Sequence, residues 1–261
     1  MMSTNSVTKK VTIKGGMNDL MRCRSIFFNA LDERDLRRPA FLSLFLSAKT
    51  SMAHRREDSK IVLSKGQLKL LSEQDFFFAK KNITEKIYRQ LGELTSELQQ
   101  LPLFKRISFP EKTDIVHGKI SKGENYLGLP YIILDFPRLF TNEKILAFRT
   151  MIWWGNFASN TLLISGDQLI SVRENVRKNF SSLSKKNGWL CIHDSPWHHH
   201  FEKENYRRIK NLREEELREI FSKQDFLKMA RKLPIDRINE LTKYSLESFE
   251  VLASILPIRN K

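Results

Sequence analysis

Cysteine is scarce in this chain: Cys23 and Cys191 are the two in 261 residues. Two distant thiols cannot build a disulfide framework, so a small secreted scaffold is excluded and a reducing cytoplasm is expected. Long apolar runs are missing too. The longest, Ala40 to Ala48, falls well short of the ~20 residues needed to cross a bilayer, so no transmembrane segment is expected. No linker rich in Gly, Pro or Ser interrupts residues 60–257, and no repeat of solenoid length recurs. The Gly-rich phosphate cradles, the G-x-S-x-G elbow, H-E-x-x-H and paired-Cys zinc motifs are all absent. Nothing in the sequence therefore names a catalytic class.

Acidic residues are also under-represented. There are 30 Asp and Glu against 45 Lys and Arg, a net charge of +15. Such a surplus suits an anionic ligand, nucleic acid or an anionic membrane surface as partner. The alternative is the Lys-rich composition common among soluble bacterial proteins. Residues 1–51 carry nine bases and four acids, so they hold five of the surplus charges and the remainder holds ten. This segment shows no sustained period and reads as a disordered extension or a misassigned start. Residues 37–48, a basic flank before an apolar stretch, leave open a membrane-surface role or a targeting segment. A single domain is expected over 52–261.

What is present supports a packed core. Hydrophobic residues make up 41%, with 18 Phe and 4 Trp. Gly66 to Gln100 is expected to be helical, strongest from an Asn82/Glu85 capping box. Ile83, Ile87, Leu91, Leu94 and Leu98 then form one face. Phe76 to Phe78 are expected to pack beneath a sheet. Strands are expected at Ile115 to Ser121, Tyr126 to Asp135, Leu146 to Asn156, Asn160 to Ser165 and Gly188 to His193. Lys122 to Asn125 would form a turn, and Pro137 would end the second strand. The third alternates cleanly, placing Phe148, Thr150, Ile152 and Trp154 opposite Arg149, Met151 and Trp153. One ring of the Trp153-Trp154 pair belongs in the core, and the other packs a helix or lines a pocket. Short links imply antiparallel pairing. Helices are expected over Gln168 to Phe180, at Asn205 to Lys210, Arg213 to Phe221 and Asp225 to Lys232, and in a last helix capped by Asp236. The fold class is thus α+β: a mainly antiparallel, four- to five-stranded sheet between an N-terminal helix and a C-terminal helical segment.

Two groups of residues are candidates for function. The first is basic. Arg138 and Arg149 flank apolar sheet segments near Asp135, either as structural ion pairs or as a fork for a carboxylate or phosphate. Arg173 and Arg177 open a basic stretch on a helix, and Arg207 to Arg213 form another before Glu214 to Glu216. The second is the run Cys191 to Glu202, which holds four of the six histidines. His193, His198, His200 and Glu202 could gather as ligands for zinc or iron, or His193 could serve as a general base. A solvated polar loop anchored by Trp197 and Phe201 is the alternative. The leading expectation is a non-enzymatic binding domain for an anionic ligand or partner, nucleic acid included. A metal-dependent hydrolase or oxygenase centred on the histidines is the runner-up.

Overall fold

The computed structural model describes residues 62–259. The segment 1–51, with its expected extension and membrane-facing stretch at 37–48, lies outside the described residues. The described chain divides into two compact units, Val62–Gln74 and Asp75–Arg259.

The first unit contains α1, Lys65–Ser72. Its start is fixed by Ser64, whose hydroxyl accepts from the Gln67 amide while the Gln67 side chain accepts from the Ser64 amide. This reciprocal cap satisfies two of the helix's orphan donors. It stands eighteen residues before the cap expected at Asn82.

The next helix, α2, runs from Gln74 to Gln100 without a break at Asn82, and all of it from Asp75 on belongs to the second unit. Ile87, Leu91, Leu94 and Leu98 are its buried stripe, whereas Ile83 and Phe76 to Phe78 are exposed. The expectation that the three Phe rings pack beneath the sheet is therefore corrected. Pro102 opens a short α3, Pro102–Arg106, where its missing N–H costs nothing.

Among the described residues the sheet has seven antiparallel strands, not four or five. In chain order they are β1 Lys119–Tyr126, β2 Leu129–Phe140, β3 Ile145–Trp153, β4 Phe157–Ser165, β5 Trp189–Cys191, β6 Tyr206–Arg208 and β7 Phe226–Pro234. Across the sheet they run β1-β2-β3-β4-β7-β5-β6. The β1–β2 turn is at Leu127-Gly128, both with positive φ, as a two-residue hairpin loop requires. The expected turn at Lys122 to Asn125 is instead part of β1, and that strand's register shifts between Gly123 and Tyr126. Pro137 does not end β2. The strand shifts register between Asp135 and Arg138 and continues to Phe140.

The other differences lie near the C-terminus. Asp225 to Lys232 is not helical: Phe226 to Pro234 pairs with nine residues of β4. Its Lys, Met, Ala and Arg residues favour helix locally, but a central strand is chosen by its neighbours. Asn205 to Lys210 forms β6 and a 3-10 turn. Around these strands run α4 Leu169–Lys178, α5 Phe180–Ser184, α6 Glu214–Lys223 and α7 Leu241–Ala253.

The two sheet faces differ. On one, Leu134, Phe148, Ile152, Leu162, Leu227 and Met229 join the apolar stripes of α2, α4, α6 and α7 in the main core. The other face carries smaller clusters around Leu163, Phe226 and Tyr206, and around Met151, Trp153 and Phe157. Phe201 from the chain between β5 and β6 packs on both. The histidine-rich segment therefore lies over this second face.

No described helix is long and apolar enough to cross a membrane.

Candidate functional site

Strand alternation brings Asp135, Arg149 and Thr161 to one row of the second face, as register partners on β2, β3 and β4. Arg149 makes a bidentate pair with Asp135: Nε donates to Oδ1 at 2.7 Å and Nη2 to Oδ2 at 2.9 Å. Asp135 is buried, and both its oxygens are used by this fork.

Lys228, from β7, is 1% exposed on the same face. Among the described residues no carboxylate pairs with it. Its Nζ donates to the carbonyl of Pro196 at 2.7 Å and to that of His198, and it faces the Tyr206 ring at 5.1 Å. Burial lowers its pKa from 10.5 to about 7, because desolvation penalises the ammonium, with Cys191 opposing this only in part and Arg149 adding to it. Burial likewise raises the Cys191 thiol, and it pushes the Tyr206 phenol well above its usual value.

The loop from Ile192 to Asn205 is tied down at several points. Ile192 N donates to Asn205 O, and the buried Asn205 side chain donates to the His200 carbonyl. Gln224 donates to the His193 carbonyl at 2.9 Å. From β1, Tyr126 reaches over the loop. Its hydroxyl accepts from the backbone N–H of His199 at 2.6 Å and of His200 at 3.2 Å, and lies 2.9 Å from His200 Nδ1.

These bonds assign the histidine tautomers. The Tyr126 oxygen already accepts two N–H groups, so its proton goes to His200 Nδ1, which is unprotonated. His193 Nδ1 accepts from the Ser195 amide at 2.9 Å and is unprotonated for the same reason. His199 Nε2 lies 3.2 Å from Arg149 Nη1. A guanidinium has only donors, so that nitrogen is the acceptor. Burial, with Lys228 and Arg149 next, holds His199 well below its usual pKa. His198 is lowered by burial and by its neighbours His193 and His200. With Nδ1 acting as the acceptor in each, the rings of His193 and His200 carry a proton on Nε2. Neither Nε2–H has an acceptor among the described residues.

The structure brings His193, His198 and His200 together. Ring centroids are 4.1 Å apart for His193 and His198, and 5.4 Å for His198 and His200. Glu202 is exposed, and its backbone carbonyl closes a turn to Asn205 and Tyr206. Among the described residues no three His, Cys, Asp or Glu side chains are placed to hold a metal ion.

The four arginines do not converge. Arg149 alone belongs to this site. Arg138 pairs with Asp114 at 3.3 Å, not with Asp135, because the register shift after Asp135 sets it beside the Asp114 bridge. Arg173 donates to the carbonyls of Gln224 and Phe226 and lies over Phe221. Arg177 is exposed on α4. Sequence reasoning missed Tyr126 and Lys228. A signal existed for Lys228, a single base inside the apolar run Phe226-Leu227-Lys228-Met229-Ala230.

Comparison with protein families, curated proteins and solved structures finds no match to this chain.

Proposed function

We propose that this chain is a non-enzymatic binding protein for a small oxyanion, a phosphate or a carboxylate, held at the histidine loop. The observation that carries this reading is the donor surplus of the site. Arg149, Lys228 and four imidazoles share one buried carboxylate, and Arg149 uses both of its oxygens. The hydrogen bonds leave the Nε2–H groups of His193 and His200 as donors beside His198. Such donors suit an oxyanion. The buried ammonium of Lys228 would gain from the anion's charge.

The same bonding speaks against zinc or iron. A histidine that ligates through Nε2 carries its other proton on Nδ1 and donates it. Here Nδ1 of His193 and of His200 each faces a donor. The surface charge favours a small ligand over nucleic acid: Arg207, Arg213, Arg218, Lys223 and Arg237 each bond a nearby glutamate, so they form no bare basic stripe.

Calorimetric titration with inorganic phosphate and with succinate, in low salt, tests the reading. Saturable binding by one of them is expected, weakened about tenfold or more, ~1.4 kcal/mol, in His200→Phe and in Lys228→Met. No binding of either anion up to about 10 mM, weaker than ~3 kcal/mol, would refute it. Near-stoichiometric zinc or iron in the purified protein would replace it with the metal-dependent reading.

A further inference from the structure

On the helical face of the sheet, opposite the face that carries the histidine loop, lies a groove of about 390 Å³. It runs between α2 and the β1–β2 hairpin. Trp154 and Tyr88 line it with half-buried rings, and Pro130 and Ile132 add apolar surface between the two elements. Trp154 differs from its neighbour Trp153. The Trp153 ring is core on the opposite face, and its indole N–H donates to the Tyr126 carbonyl. The Trp154 ring keeps part of its surface open.

The groove is aromatic and carries one net positive charge, three lysines against two glutamates. Lys80, Lys81 and Lys122 line it with two acids, Glu85 and Glu124. Lys80 bonds Glu124 at 2.6 Å, which ties α2 to β1 and neutralises that pair. Among the described residues neither Lys81 nor Lys122 has an ion-pair partner. Lys122 is the register partner of Ile132, so strand alternation puts both on the groove side.

We infer that this groove is a binding site for a small planar aromatic ring that carries a phosphate or a carboxylate. The ring would sit against Trp154 and Tyr88, since stacking on an indole is favourable for any flat π-system. The anion would meet Lys81 and Lys122. The volume matches such a ligand, because pockets for small molecules begin near ~300 Å³. This site shares no residue with the histidine loop and stands or falls apart from it.

The test is equilibrium dialysis with two probes, adenosine 5′-monophosphate and 1-naphthoate, in a low-salt buffer free of phosphate and carboxylates, on the wild type and on His200→Phe, so that binding common to both is assigned to the groove and not to the histidine loop. Saturable binding of at least one probe is expected at sub-millimolar to millimolar concentration, roughly 4 kcal/mol of affinity. Preference for the first probe assigns phosphate, and preference for the second assigns carboxylate. Trp154→Leu should weaken binding about tenfold or more, as should the pair Lys81→Gln and Lys122→Gln, whose exposed side chains put folding at little risk. Adenosine alone should bind at least several-fold more weakly than its monophosphate. The inference is overturned if neither probe binds saturably by about 5 mM, or if binding survives the double lysine variant unchanged.

Discussion

Lys228 offers the most direct test of the site's electrostatics. Its amine titrates at 10.5 when solvated and at about 7 in the fold. Between those values the unfolded chain holds a proton that the folded chain has released. Stability contributed through this group is therefore present above pH 10.5, declines as the pH falls, and is lost by about pH 7. Each tenfold difference in proton affinity between the two states is worth about 1.36 kcal/mol. Starting at pH 7, where half of the folded amines are still charged, and ending near pH 8.5, the gain integrates to roughly 1.6 kcal/mol. Stopping there keeps the Cys191 thiol and the Tyr206 phenol, both raised in the fold, protonated in the native state, and the onset of cysteine ionisation in the unfolded chain is common to both proteins and cancels. Lys228→Met keeps most of the length of the side chain and removes its proton. Urea unfolding of both proteins at the two pH values gives four free energies. Wild-type stability should rise by about 1.6 kcal/mol more than that of the variant. Parallel behaviour within about 0.3 kcal/mol would show that the amine is not desolvated as described.

Two further outcomes follow from the same face. Arg149→Met strands the Asp135 carboxylate in the interior and should cost about 3–5 kcal/mol, while the double variant with Asp135→Leu should recover much of that loss; additive losses in a urea double-mutant cycle would contradict the pairing. Tyr126→Phe removes the acceptor for two loop amides and should cost about 1–3 kcal/mol, with faster hydrogen exchange at His199 and His200, and unchanged exchange there would show that the hydroxyl does not hold the loop.

The helical stripe from Ile87 to Leu98 was legible because burial on one helix face repeats every three to four residues. The two faces of β3 were legible for the corresponding reason at period two. Legibility failed where long-range pairing outweighs local preference. Asp225 to Lys232 reads as helical by composition, yet Phe226–Pro234 is a central strand because β4 and β5 flank it. The tie between Tyr126 and His199 spans 73 positions, a separation over which no sequence period operates.

The sequence by itself determined the α+β class and the antiparallel pairing, since these follow from periodicity and short links. Tertiary structure alone decided that the sheet has seven strands among the described residues and that Lys228 lies buried beneath the histidine run. It also decided which arginine joins the site: one register shift in β2 leaves Asp135 opposite Arg149 and sends Arg138 to Asp114. The physical reason is that a strand's register is fixed by its partners, and a slip of one residue moves every side chain to the other face.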